Sequence, residues 1–285
     1  MTLSRLAYDR KGSGEPVVLI HGIGHRRQAW NPIVNQLAEK YDVITVDLAG
    51  FGESPSYPKN ASYDMDTACE NLADNFAEWG IERPHVVGNS LGGAISLELG
   101  ARGIASSVTA LSPAGFFGRF DRLQAFFLLF VLRISSKLPD RLLRAVSRLS
   151  IGRRIIGSVL YTHPERFDAD EVYGDALALK HATAFERTIR GGVKYKFDSR
   201  VPVPTTIAWG TKDHILPYSQ SATAQERLRE ARHVALPHCG HVPMIDDPEL
   251  VIRVIDQTIA ETHETHGAHG AHGAHGAHET LKETA

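Results

Sequence analysis

The sequence predicts an α/β protein, a mainly parallel sheet with helices on both faces, and three observations carry that expectation. Short solid apolar runs such as Val17–Ile20 suit strands covered on both sides. Between such runs apolar residues recur at helical intervals, as in Met65, Ala68, Cys69, Leu72, Phe76 and Trp79. The runs also end in glycine-punctuated loops, and strands that alternate with helices in this way form parallel sheets. At 285 residues the chain can bury a substantial core.

In chain order, Leu3 to Asp9 reads as an edge strand, followed by a turn over Lys11-Gly12-Ser13-Gly14. Val17–Ile20 is the first buried strand and ends in His21-Gly22-Ile23-Gly24; Ala29, Trp30, Ile33, Val34 and Leu37 then give helical spacing. Asp42 to Val46 is a second buried strand, closed by Asp47-Leu48-Ala49-Gly50-Phe51-Gly52-Glu53-Ser54. Gly80 stops the Met65–Trp79 helix just before Val86-Val87-Gly88-Asn89-Ser90-Leu91-Gly92-Gly93-Ala94, a strand turning sharply into a helix. Ser107 to Leu111 follows as a strand and is broken by Ser112-Pro113-Ala114-Gly115. From about 116 to 200 the alternation stops: Phe126 to Leu132 and Ile134 are apolar on all sides, and Leu142, Leu143, Val146 and Leu149 form a stripe facing away from Arg141, Arg144 and Arg148. The sheet resumes at Thr205–Trp209 and His233–Leu236, and Leu250, Val251, Val254 and Ile255 mark a closing helix. The expected organisation is a core of residues 1–115 and 201–262, an inserted helical cap over 116–200, and a tail over 263–285 whose Gly-Ala-His repeat has too little apolar surface to order itself. Metal binding by the tail histidines is chemically possible, but a solvated tail is the simpler reading, and no metal is assigned.

Ser90 stands at the bend of a G-x-S-x-G motif, where a strained strand-to-helix turn lifts a hydroxyl clear of the backbone. A serine is inert at neutral pH without a base, and the base needs a carboxylate to fix its tautomer. Asp213 follows the penultimate strand directly and His241 follows the last, so both fall on the sheet edge that carries Ser90. His238 is the rival base, but His241 follows Gly240, which allows the loop to turn inwards; Asp246 and Asp247 come after the histidine and would reverse the order of the three groups. The expected oxyanion donors are the backbone amides of Leu91 and Ile23. His21 is expected to hold its loop, and His214 to face solvent. Phe116, Phe117, Phe126, Phe127 and Phe130 are the expected substrate-binding residues, for a hydrophobic acyl or aryl group.

The pieces HGIG at 21–24, DLAGFGES at 47–54, GNSLGG at 88–93, WGTKD at 209–213 and CGHVPMIDDPELV at 239–251 resemble the α/β-hydrolase fold superfamily over nearly the whole chain to about Thr262, the cap apart. The usual first strand is missing or reduced at this N-terminus. The resemblance implies a Ser-His-Asp hydrolase that needs neither metal nor organic cofactor, with an esterase-like reaction first. Carbon–carbon hydrolysis of ring-cleavage dienones, with Arg187 or Arg190 for the substrate carboxylate, comes second, and a ligand-binding receptor on the same scaffold third. Ser90 separates the chain from haloalkane dehalogenases and epoxide hydrolases, which use aspartate at that position.

A net charge of −2 gives no reason to expect nucleic acid as a partner, and the expected partner is a hydrophobic small-molecule substrate. No apolar run approaches the roughly 20 residues of a membrane span, no secretory signal is apparent, and a cytoplasmic protein is expected. The basic helix face of the cap could touch a membrane surface, and the exposed apolar cap could equally serve a homo-oligomer of unknown order.

Overall fold

The computed structural model describes residues 2–118 and 120–279, without the side chains of residues 166 and 265–279. Its sheet has seven strands: β1 (Tyr8–Gly12), β2 (Pro16–Ile20), β3 (Asp42–Val46), β4 (His85–Asn89), β5 (Ser107–Leu111), β6 (Thr205–Gly210) and β7 (Arg232–Leu236). Their spatial order is β1-β3-β2-β4-β5-β6-β7, with β1 antiparallel to β3 and every other pair parallel. The α/β expectation is met.

Strand periodicity divides the core. Val18, Ile20, Ile44, Val46 and Val86 face α2 (Met65–Glu78) and α3 (Leu91–Ala101), while Val17, Leu19, Val43 and Val87 face α1 (Asn31–Leu37) and the closing helix. All of these side chains are essentially buried, each stabilising the fold by about 1.5–3 kcal/mol. Runs that read as solid apolar stretches are therefore strands sandwiched between two helical layers.

The edge strand starts later than the sequence predicts. Tyr8 to Gly12 pair with Val46 to Asp42, whereas in the preceding stretch the N–H groups of Ser4, Leu6 and Ala7 are met by side chains and the Ala7 carbonyl accepts from Asp47 N–H. Ser4 and Leu6 N–H donate to Asn71 and Asn75 Oδ1 on α2, and Ala7 N–H donates to Ser54 Oγ. Side-chain amides projecting from a helix substitute here for a neighbouring strand.

Between β5 and β6 lie α4 (Asp121–Ser136), α5 (Asp140–Arg148), α6 (Ser150–Gly157), α7 (Ala169–His181) and α8 (Phe185–Gly192). After β6 come α9 (Gln220–Arg227), then β7, the short α10 (Pro243–Asp246) and α11 (Pro248–Glu279). The α11 backbone stays helical through the Gly-Ala-His repeat to Glu279, where the sequence predicts no order; a helix pairs its backbone groups within itself and needs no core to do so. Residues 280–285 of that tail lie outside the described residues. No helix among the described residues is long and apolar enough to cross a membrane.

Candidate active site

Ser90 sits between β4 and α3 with φ +57° and ψ −114°, a backbone conformation that costs a non-glycine residue about 1–3 kcal/mol and persists only where its surroundings impose it. They do. Ser90 N–H donates to Leu111 O on the adjacent strand at 3.0 Å, and Ser90 O accepts from Ala94 N–H and Ala114 N–H, both at 3.0 Å. The bend is also closely packed: a Cβ at Gly88 would overlap the Gly92 carbonyl, and one at Gly92 would overlap the Ile20 and His21 carbonyls. A Cβ at Gly22 would lie 3.1 Å from Ser90 Cβ, so the His21–Gly24 loop passes directly beside the serine. Leu91, the first residue of α3, belongs to the turn whose amides have no partner inside the helix.

His21 holds that loop. Leu48 N–H donates to its Nε2 at 3.0 Å, which leaves Nδ1 to donate to Gly22 O at 2.7 Å. The ring is wholly buried, and burial drives its pKa down to about 4 despite the nearby Asp47 carboxylate. It is a neutral brace. Asp47 is fixed in turn by Arg27 and by Glu53 N–H, which ties the 47–54 loop to the same edge.

His241 reaches the edge from the loop after β7. Its N–H donates to Leu160 O at 2.8 Å, its carbonyl accepts from Asn89 Nδ2 at 2.8 Å, and Gly240 N–H donates to Asp246 Oδ2 at 2.7 Å. The imidazole Nδ1 lies 2.7 Å from Asp213 Oδ2. Asp213, only 5 % exposed, accepts two further bonds at Oδ1, from Ile215 and Leu216 N–H, both at 2.8 Å. A carboxylate held by three donors fixes the imidazole with its proton on Nδ1 and leaves Nε2 as the acceptor. His241 and Ser90 border one cavity of about 130 Å³ with Gly22 and Ile23. His238 and His214 are exposed, and Asp246 and Asp247 serve backbone amides, at Gly240 and Thr162 and at Leu250 respectively.

Residues 17–254 match the alpha/beta hydrolase family. The chain belongs to that family. Among family members with assigned names, 2-hydroxy-6-oxo-6-(2'-aminophenyl)hexa-2,4-dienoic acid hydrolase of Metapseudomonas resinovorans is 27% identical over 259 residues, covering 85% of this chain and 83% of that protein. Lipase 3 of Moraxella sp. is 28% identical over 256 residues, covering 82% of this chain and 74% of the lipase. A crystallised bacterial membrane phospholipase A superposes with a TM-score of 0.73 at 26% identity, over 90% of this chain and 83% of that one. Hydrolases of this family thus include lipases and carbon–carbon bond hydrolases, and they share this chain's fold.

The walls of the cavity in this hydrolase come from the inserted helices, and they differ from the sequence expectation. Leu129 and Leu132 of α4, Leu143 and Val146 of α5, Leu179 of α7 and Phe185 of α8 line it, so its surface is overwhelmingly apolar. None of Phe116, Phe117, Phe126, Phe127 and Phe130 does. Phe116 is fully buried in the core against Phe197 and Trp209, with the Arg227 guanidinium over its ring. Phe117 is half-buried against Phe126 and Arg122, while Phe127 and Phe130 are 63% and 61% exposed. The α4 helix turns a Leu129/Leu132 pair inward and its phenylalanines outward, a choice that composition cannot reveal in a helix apolar all round. Arg187 stacks on Tyr63 and donates to Lys59 and Ala61 carbonyls, and neither it nor the exposed Arg190 borders the cavity.

Two further polar residues border the cavity: Arg153, which has no distinctive signal in the sequence, and His25, which the sequence leaves between surface and pocket wall. Arg153 donates to Ser147 O and Glu165 O, while its buried Nε has no partner among the described residues. His25, in the loop after β2, borders the cavity with Tyr161 Oη at 3.4 Å and Asp175 of α7 at 3.9 Å. Asn89, which holds the His241 carbonyl, is visible only as a polar residue inside a buried strand.

Proposed function

We propose that the protein is a serine hydrolase that cleaves a carboxylic ester of a hydrophobic small molecule. In this reading Ser90 Oγ attacks the ester carbonyl carbon as His241 Nε2 takes its proton, and Asp213 stabilises the imidazolium so formed. The negative charge that develops on the carbonyl oxygen is met by the backbone amides of Ile23 and Leu91. Collapse of the tetrahedral adduct breaks the bond to the alcohol, which leaves with the proton from His241. Water, deprotonated by the same imidazole, then releases the acid and restores the serine.

One observation carries the reading: a serine held at φ +57° and a histidine bonded to a buried carboxylate at 2.7 Å open onto the same apolar cavity. The apolar walls favour an acyl or aryl group over a charged substrate. Purified protein is expected to cleave p-nitrophenyl esters of short acids, with Ser90→Ala lowering kcat by about 10⁴- to 10⁶-fold. An alanine variant with wild-type rates would remove Ser90 from the reaction.

A second reading is carbon–carbon hydrolysis of an acidic dienone. It draws on the Metapseudomonas relative and on Arg153, a cavity-lining guanidinium with an unused N–H suited to a carboxylate. Turnover of ring-cleavage dienones in preference to esters is the outcome that would select it.

A further inference from the structure

Most of the large exposed apolar side chains of the described residues fall within residues 120–155. On α4 and its ends they form one stripe: Phe120, Leu123, Phe127, Phe130, Ile134 and Leu138 follow each other by three or four positions, the spacing of a single helix face. The largest exposures, 79% at Phe120 and 73% at Leu123, belong to residues left largely uncovered by the described residues. A second patch lies on α5 and α6, which pack on one another: Leu142, Leu149, Ile151 and Ile155 are 45% to 69% exposed. Exposed Arg141, Arg144, Arg148 and Arg154 alternate with them.

Charge identifies what covers this surface. The chain as a whole is at −2, yet residues 120–155 hold eight lysines and arginines against two acidic residues, and with Arg133 buried against Glu186 and Arg153 in the cavity wall six basic residues remain for the outside. Arg141 and Arg148 make no ion pair with any described residue, and Arg144 lies over the Tyr173 ring. A second copy of this chain would bring the same excess of positive charge against its own and would be repelled. A surface that is both apolar and cationic matches an anionic bilayer, where aromatic and aliphatic side chains enter the boundary between headgroups and acyl chains while arginines pair with lipid phosphates.

We propose that the outer faces of α4, α5 and α6 dock the protein peripherally on an anionic phospholipid membrane. The inner faces of the same three helices line the cavity at Ser90, through Leu129, Leu132, Leu143, Val146 and Ile156. Docking therefore brings the helical wall of that cavity next to the layer in which apolar esters dissolve. It is independent of the reaction: vesicle binding by Ser90→Ala is expected to equal that of the wild type, so failure of the esterase reading leaves the docking surface standing.

The full-length protein is tested by co-sedimentation with vesicles of phosphatidylcholine alone and of phosphatidylcholine mixed with phosphatidylglycerol. Binding is expected to the mixed vesicles only and to weaken as salt is raised. Reversing two charges in Arg141→Glu/Arg148→Glu is expected to lower the partition coefficient by about 30-fold or more, at roughly 1 kcal/mol for each basic residue near the surface. Leu123→Ser/Phe127→Ser is expected to lower binding to the mixed vesicles at every salt concentration, with hydrolysis of a soluble ester and the thermal transition unchanged. Should that apolar variant fold poorly, the arginine variant, altered only at exposed positions, carries the test. Equal binding to neutral vesicles, absence of binding, or a dimer in light scattering that either variant dissociates would overturn the proposal, the last by assigning the surface to a second copy.

Discussion

At the carboxyl edge of the sheet, Asp213 is 5% exposed and accepts three hydrogen bonds, whereas α4 holds Phe127 and Phe130 more than half exposed with their inner-face neighbours lining a cavity. The two regions face each other across the same space and are constrained differently. Each side chain at the sheet edge is fixed by several independent contacts, so one substitution disturbs all of them. On the helices a side chain is held mainly by apolar packing, which tolerates replacement when volume is kept. Large effects are therefore expected below the cavity and small ones above it. After Ser90 itself, the largest is at Asp213. An amide in its place turns one oxygen into a donor and favours the wrong imidazole tautomer, so Asp213→Asn is expected to lower kcat by about 10⁴-fold on a p-nitrophenyl ester with little change in the thermal transition. A loss below tenfold would mean that the 2.7 Å contact to His241 holds the loop and has no part in the reaction.

The same contrast extends to stability through two glycines. A Cβ on Gly92 would fall on the carbonyls of Ile20 and His21, backbone atoms of a strand end that cannot give way. At Gly192, the end of α8, a Cβ would meet nothing within 4 Å. Gly92→Ala is expected to destabilise the fold by about 3 kcal/mol or more. Gly192→Ala is expected to be neutral or to stabilise it by up to about 1 kcal/mol, through lost freedom of the unfolded chain. Urea unfolding of the two variants measures both. Equal costs would mean that the insertion is as tightly built as the sheet edge.

Legibility in the sequence follows the same division. The sheet edge is readable because backbone geometry restricts residue choice there: the glycines around Ser90 are required by carbonyls at contact distance, and Asp213 and His241 are placed by the strands that precede them. The inner strands are readable because burial on both faces demands unbroken apolar runs. At β1, all of whose residues are exposed, that demand vanishes, and the sequence pattern places the strand too early. The helices above the cavity are legible as helices but not as walls. In α4, apolar residues occupy inner and outer faces alike, so the most conspicuous aromatic side chains read as substrate contacts when they point to solvent or, as with Phe116 just before the helix, into the core. The cavity is lined by leucines and valines that look like any core residue, and only their placement in the fold distinguishes a side chain that borders a cavity from one that fills the core.

Acid is a smaller and graded way to separate the regions, through His21. Its folded pKa, about 4, lies below the ordinary value of 6.5, so the unfolded chain binds a proton between those pH values while the folded one does not. Stability is then full above pH 6.5 and falls as the pH drops from 6.5 towards 4, by up to about 1.4 kcal/mol per pH unit from this residue. His85, at the start of β4 and bonded to Ser107 on β5, is also depressed by burial and adds a contribution of the same sign. His21→Asn is expected to flatten the dependence in urea titrations at about pH 7.5 and 5, and an unchanged slope would remove His21 as its source.

The smallest expected effect sharpens the comparison most, because it concerns residues chosen for their size. Phe130 is 61% exposed on α4, so its truncation removes little buried surface and opens no cavity. Phe130→Ala is expected to change stability by no more than about 0.5 kcal/mol and to leave turnover of a soluble short ester within about twofold. Leu132, two positions along the same helix and 9% exposed, borders the cavity, and its truncation enlarges the space beside Ser90. Chain-length preference on p-nitrophenyl esters should accordingly shift in Leu132→Ala and stay fixed in Phe130→Ala. A shift in both, or in Phe130→Ala alone, would mean that the outer face of α4 turns inward when substrate binds, and that the division between wall and surface does not hold during turnover.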